Sequence, residues 1–260
     1  MAHGELTLDL LTFLMVYRRE TRQRPHLVFA GGDRYFPLEN RAGAMQALDD
    51  ELHQLGLLDG TRLQPDFQDT LGLLANARVE FFGWVQHEQS NFAVLAASVG
   101  KEALLATRTG EQVWLKPGKV ENPGELAGQL VTLLPKVNPA DIRPFAVNEA
   151  DLASVGATAN QGSLLDRPRS AQAIELRQLE DLFKLRRSGG GALYAAIRDQ
   201  QGNRHQVEDK LDYIDTVNGR VLSFFTGDGQ ARARKTRTLN IAPGSPKWLS
   251  DKLATLPSGR

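Results

Sequence analysis

The sequence predicts an α+β protein of two similar halves, each running helix, antiparallel strands, helix, with pseudo-twofold symmetry around a central antiparallel sheet and helices packed on it. Three observations predict this. Strand-like segments follow one another too closely for crossover helices, helical periodicity brackets each run of strands, and the junction from last strand to last helix recurs. Val113, Leu115, Pro117 and Gly118 stand at the same mutual spacing as Leu239, Ile241, Pro243 and Gly244. Asn122-Pro123 and Ser245-Pro246 each place a capping side chain before a proline at the first helical position, where the missing N–H costs nothing. Counted from those caps, Leu126, Leu130 and Leu133 match Leu249, Leu253 and Leu256, and Pro135 and Pro257 close the two helices. The halves are expected over residues 1–145 and 146–260, forming one compact unit.

Taken in order, Leu6 to Val16 reads as a buried amphipathic helix. It fails as a signal peptide: no Lys or Arg precedes it, Asp9 interrupts it, and Arg18-Arg19 close it well short of the about 20 apolar residues that span a bilayer. A short strand is expected at His26 to Ala30, then a Gly-Gly-Asp turn at 31–33. Leu38, Met45, Leu48, Leu52 and Leu55 recur at helical steps up to a Gly56 cap, and Phe67, Leu71 and Leu74 mark a second helix from Pro65. Strands are expected at Arg78 to His87, Asn91 to Val99, Leu104 to Arg108 and Val113 to Lys116, followed by a helix from Pro123 to Leu134. Pro135 to Pro168 reads as a linker with weak helical potential around Asn148 to Ser154. A helix marked by Ala173, Leu176, Leu179 and Phe183 then ends at the Ser-Gly-Gly-Gly run of 188–191, which we read as a cap and flexible turn. Strands follow at Ala192 to Arg198, His205 to Glu208, Leu211 to Thr216, Val221 to Thr226 and Thr238 to Ile241, and a helix from Pro246 to Leu256 closes the chain.

Composition narrows the function. Apolar residues at 41% and charged residues at 24% suit a soluble globular chain, and no other apolar run approaches spanning length. With no export signal, a cytoplasmic location is expected, without membrane insertion. Thirty-one Lys plus Arg balance 31 Asp plus Glu, so no overall field draws the chain onto nucleic acid or anionic lipid. The absence of cysteine excludes disulfides, thiolate zinc sites, iron-sulfur clusters and cysteine nucleophiles. There is no phosphate loop, Gly-x-Ser-x-Gly elbow, His-Glu-x-x-His or calcium loop. His3, His26, His53, His87 and His205 share no helical ligand spacing. We therefore expect no catalytic residue, cofactor or metal, and no enzyme; an enzyme of unrecognised class and a nucleic-acid adaptor are the alternatives. The adaptor would use Arg232, Arg234, Lys235 and Arg237, which alternation on a hairpin would split between two faces, a pattern that favours an edge-strand guard first and an acidic protein partner second.

What remains is apolar side chains on the sheet. One face of the strand from Arg78 carries Glu80, Phe82, Trp84 and Gln86, two large aromatics between polar residues, and Phe224 stands on a strand of the second half. Helices on both faces would bury them. If one face is open, Phe82, Trp84 and Phe224 are the expected anchors for a partner.

Several fragments carry a family likeness: Leu55-Gly56-Leu57-Leu58-Asp59-Gly60-Thr61-Arg62-Leu63 with Pro65-Asp66; Gln112-Val113-Trp114-Leu115-Lys116-Pro117; Gly190 to Asp199; Tyr213-Ile214-Asp215-Thr216 with Gly219-Arg220; and Ile241-Ala242-Pro243 before a Leu-rich helix. In this order, from about His26 to Leu256, the chain resembles the EspG family, the cytoplasmic chaperones of mycobacterial and related actinobacterial type VII (ESX) secretion. The resemblance implies a duplicated fold around an antiparallel sheet. It also implies binding of PE/PPE-type substrates, or another helical ESX substrate, at the apolar tip of the helical bundle, keeping them soluble for export.

Overall fold

The structure, a computed structural model, describes residues 4–31, 40–154, 171–227, 229–234 and 236–258. Its first half runs β1 (Leu6–Asp9), α1 (Leu10–Thr21), α2 (Arg41–Gln54), a small hairpin β2 (Leu58–Asp59) and β3 (Arg62–Leu63), α3 (Pro65–Asn76), then β4 (Val79–His87), β5 (Ser90–Val99), β6 (Glu102–Thr109), β7 (Gln112–Lys119) and α4 (Pro123–Val131). The second half runs β8 (Phe145–Asn148), α5 (Ala171–Lys184), β9 (Arg187–Arg198), β10 (Arg204–Gln206), β11 (Leu211–Thr216), β12 (Gly219–Thr226), α6 (Gly229–Arg234), β13 (Thr238–Pro243) and α7 (Pro246–Thr255).

Eleven strands form one sheet in the order β1-β7-β6-β5-β4-β9-β11-β12-β13-β8, with β10 attached to β9. The order is a palindrome of the two halves. Each half lays its strands outward from the centre and takes its own first strand, β1 or β8, as the outermost one. The pseudo-twofold passes between β4 and β9, which pair antiparallel from Val79↔Ile197 to His87↔Gly189.

The helices cover the two faces unequally. On one face α4 and α7, the capped helices of the repeat, pack against each other over a core that includes Phe81, Val85, Leu193, Leu211, Tyr213 and Leu222. On the other, α1, α2 and α3 bury Phe82, Leu95, Leu104 and Leu115 of the first half. There α5 buries Val221, Leu239 and Ile241 at the far edge of the second. Between these two bodies no helix among the described residues lies over the middle of the sheet.

Local chemistry explains the helix starts. Asn122 and Ser245 accept from the backbone N–H of Glu125 and Trp248, as the repeat predicts. Asp9 accepts from Leu11 N–H, so Leu6 to Val16 is not one helix: its first four residues pair with the edge of β7, and the helix begins after the cap. His26 to Ala30 is also not a strand. His26 Nδ1 accepts from Val28 N–H and starts a single 3₁₀ turn, Leu27–Phe29.

Gly56 closes α2 at φ +67° as expected, but Met45 and Leu55 at the ends of its stripe are exposed. Leu38 and most of the Gly-Gly-Asp turn lie outside the described residues. In α5 the buried row is Leu179 and Leu182, and Phe183 is exposed. The stretch read as linker contains β8 and a 3₁₀ segment, Glu149–Ser154; residues 155–170 lie outside the description.

The glycine run 188–191 departs furthest from its sequence pattern. It is neither cap nor turn but the start of β9. A Cβ on Gly191 would stand 2.7 Å from the Tyr213 ring and 2.9 Å from the Trp84 carbonyl oxygen, so the strand can thread between β4 and β11 only without side chains.

Beside it lies a buried ion pair. Arg220 donates to both oxygens of Asp215 at 2.6 and 2.8 Å and to the Pro135 carbonyl at 2.9 Å, with its guanidinium 4.3 Å from the Tyr213 ring centre. This joins the end of the first half to the β11–β12 hairpin.

Candidate partner-binding groove

The uncovered middle of the sheet is a groove of about 810 Å³, with Val28, Arg108, Trp84, Gln86, Arg187 and Ile214 among its lining. Strand register builds its floor. Trp84 of β4 pairs with Ala93 of β5 and Ala192 of β9, and beyond those alanines come Arg108 and Asp212. One step along, Gln86 pairs with Asn91 and with Gly190, which pairs with Ile214. With a methyl group on either side, the indole stands above its row, and it is 42% exposed.

The ring is held from below. Phe82 and Tyr194 stack at 5.5 Å between centroids, and Trp84 meets both edge-on, at 5.9 and 5.6 Å. Phe82 itself is 0% exposed, so it is not an anchor open to a partner but the support that fixes the orientation of Trp84. Phe224 belongs elsewhere. It pairs with Leu211, whose side chain lies in the core under α7, so it faces the opposite side of the sheet from Trp84. The three expected anchors thus resolve into one support, one groove residue and one residue of a different surface.

Charged groups border the groove. Arg108 is tethered by donation to the carbonyls of Ala30 and Gly110. The Arg187 guanidinium lies 5.7 Å from the ring centre of the exposed Phe183, and Lys210 pairs with Asp212 at 2.9 Å. The surface is therefore apolar at its centre with cations and carboxylates at its margin, the layout of a protein interface. Phe183 was hidden from a sequence reading because helical spacing alone assigned it to the buried stripe.

Under one end of the groove lies a polar cluster. Glu80 accepts from Arg204 at 2.6 Å, with His26 Nε2 3.4 Å away. Burial alone would raise the Glu80 pKa, but hydrogen bonds from His26 and Arg204, with the Arg204 charge, outweigh it and hold the carboxylate below its usual range. Burial pushes the Tyr213 phenol up. Its hydroxyl has no partner among the described residues. No group of three or more His, Asp or Glu side chains could hold a metal ion among the described residues.

The basic run is not a hairpin ribbon. Arg232 and Arg234 lie in α6, Arg232 pairs with Glu208 at 2.6 Å, Arg237 grips Glu149 at 2.9 and 3.0 Å, and Lys235 lies outside the described residues. Two of its cations are thus already committed to carboxylates of the fold.

The chain is thus an α+β protein with a palindromic antiparallel sheet and an aromatic-floored groove on one face. The chain belongs to the EspG family, whose model matches residues 9–255. Among solved structures it is similar to the type VII secretion system chaperone EspG5 of Mycobacterium tuberculosis, determined in complex with the PE25-PPE41 dimer. The two share 15% identity over 98% of this chain and 96% of that one, with a TM-score of 0.66. No protein of curated function matches the chain in sequence.

Proposed function

We propose that this protein is a cytoplasmic, non-enzymatic chaperone of type VII secretion. It holds the apolar tip of a PE/PPE-type or other helical substrate over Trp84 in the sheet groove until export. Family membership across nearly the whole chain carries this reading. A helical tip covering the groove and its charged margin would bury about 800 Å² per partner, a standard interface. Nothing in such a step forms or breaks a bond. The chemistry is the shielding of aggregation-prone surface. No helix among the described residues is long and apolar enough to cross a membrane, which suits a carrier that works in solution. We further propose that 1–145 and 146–260 act as one unit, since the groove floor draws on strands of both.

Co-expression with PE/PPE-type and other helical type VII substrates of the same organism, followed by affinity capture and fractionation, tests the proposal. Retention of a soluble cytosolic complex is the expected result. Failure to retain any of them, with each client expressed, would sink it.

A further inference from the structure

A second surface lies on the opposite face of the sheet, along the outer side of α7. There Phe224, Ala242, Trp248 and Lys252 line a cleft of about 330 Å³. Trp248 is 38% exposed. The Lys252 ammonium is 4.8 Å from the Phe224 ring centre and 5.7 Å from that of Trp248. Asp251, the neighbouring carboxylate, is taken by Lys247 at 2.6 Å. Among the described residues no carboxylate pairs with Lys252, which is itself half-buried. A partly desolvated cation whose partners among the described residues are two π faces gains from an anion brought to it.

The internal repeat shows that the fold does not require these residues. Counting from the caps Asn122 and Ser245, Trp248 occupies the position of Glu125, and Lys252 that of Gln129. In α4 both are spent inside the fold. Glu125 accepts from the Glu121 backbone N–H, closing the helix start, and Gln129 donates to the Lys119 carbonyl. In α7 the equivalent side chains turn to the cleft, and an exposed tryptophan replaces a residue that would stabilise the helix.

We propose that this cleft is a second protein-docking site. It takes a partner segment that presents a large apolar side chain next to a carboxylate, the apolar group packing on the open part of Trp248 and the carboxylate meeting Lys252. A single cation and room for one side chain favour a peptide over a nucleic acid, which needs a row of cations. Because the site faces away from the groove, its occupancy is independent of client binding there.

The test uses the full chain, labelled with ¹⁵N, and a capped alanine-based helical peptide carrying Leu and Glu one turn apart, with a Gln version of the same peptide as control. The expected result is a saturable shift of the Trp248 indole N–H at millimolar peptide. The affinity should fall roughly fivefold on Glu-to-Gln exchange in the peptide or in the Lys252→Gln variant, the size of a partly exposed ion pair. Trp248→Glu, which restores the residue of the first half, should keep the melting temperature and abolish the binding. Equal affinity for both peptides, a shift at Trp84 instead of Trp248, no saturable shift, or tighter binding of adenosine monophosphate than of the peptide would each overturn the proposal.

Discussion

Replacing Trp84 by alanine should separate client binding from folding. A tryptophan side chain offers up to about 250 Å² for burial. With 42% of the residue open, about 100 Å² is available to a partner, and at about 25 cal/mol/Å² its burial contributes about 2.5 kcal/mol, or about 70-fold in Kd. The rest of the ring packs on Phe82 and Tyr194, so the variant also loses about 2 kcal/mol of stability. The two losses are measured apart: urea unfolding for the fold, and titration calorimetry against the captured client at a temperature where the variant is folded. Phe82→Leu is the counterpart. It costs about 1–2 kcal/mol of stability because Phe82 is fully buried, and should leave affinity within a few-fold. A Trp84→Ala protein that is folded and binds its client within twofold of the parent would refute the groove as the binding surface.

Asp215→Asn should destabilise by about 3–5 kcal/mol in chemical denaturation, since it strips the countercharge from buried Arg220. Asp215→Asn with Arg220→Met should cost clearly less than the sum of the two singles. Gly191→Ala should lower stability by about 1–3 kcal/mol, read by thermal melting, because the added methyl meets the Tyr213 ring at 2.7 Å. Acid should weaken the fold through Glu80 and Asp199. Glu80 is held below 4.5, and Asp199 is lowered to about 2, chiefly by its hydrogen bond to His205. Depressed folded-state values mean that this stability is present above about pH 4.5 and lost as pH falls toward 2. Glu80→Gln should flatten the acid limb of a stability-against-pH curve. Separate expression of 1–145 and 146–260 should give insoluble or unfolded chains, because the cut exposes the whole β4–β9 pairing and parts α4 from α7. Independent folding of either half, by circular dichroism, would contradict the single unit.

Much of the architecture was legible because its signals are local. Caps at Asn122 and Ser245, a proline after each, and alternation along β4 to β7 need no knowledge of distant residues. The misreadings have a common cause in long-range contact. Ser188 to Gly191 has turn composition, yet the crowding that demands glycine comes from Trp84 and Tyr213, distant in sequence. Phe145 to Asn148 is too short and too close to prolines to signal a strand, and only the open edge of β13 makes it one. Phe82 and Trp84 share a strand face and differ in fate: helices close over one, while alanines at 93 and 192 leave the other standing free. No spacing rule separates them.

The fragments that carry the family likeness do scaffold work. Arg198, in the central run, donates to the carbonyls of Ala75 and Ala77, closing the end of α3 onto β9. Tyr213, Asp215 and Arg220 make the buried cluster that ties Pro135 to the hairpin. None of these side chains reaches a client as a free group. Gln86 and Asn91 of the groove floor, by contrast, are exposed and constrained by the pleat only to face outward. A fold that keeps its platform by one set of residues can therefore change its client through another. Exchanging the residues at 86 and 91 between two relatives should shift client preference at nearly constant stability. Exchanging the Asp215–Arg220 pair for a mismatched one should unfold the chain without altering which client the folded fraction prefers.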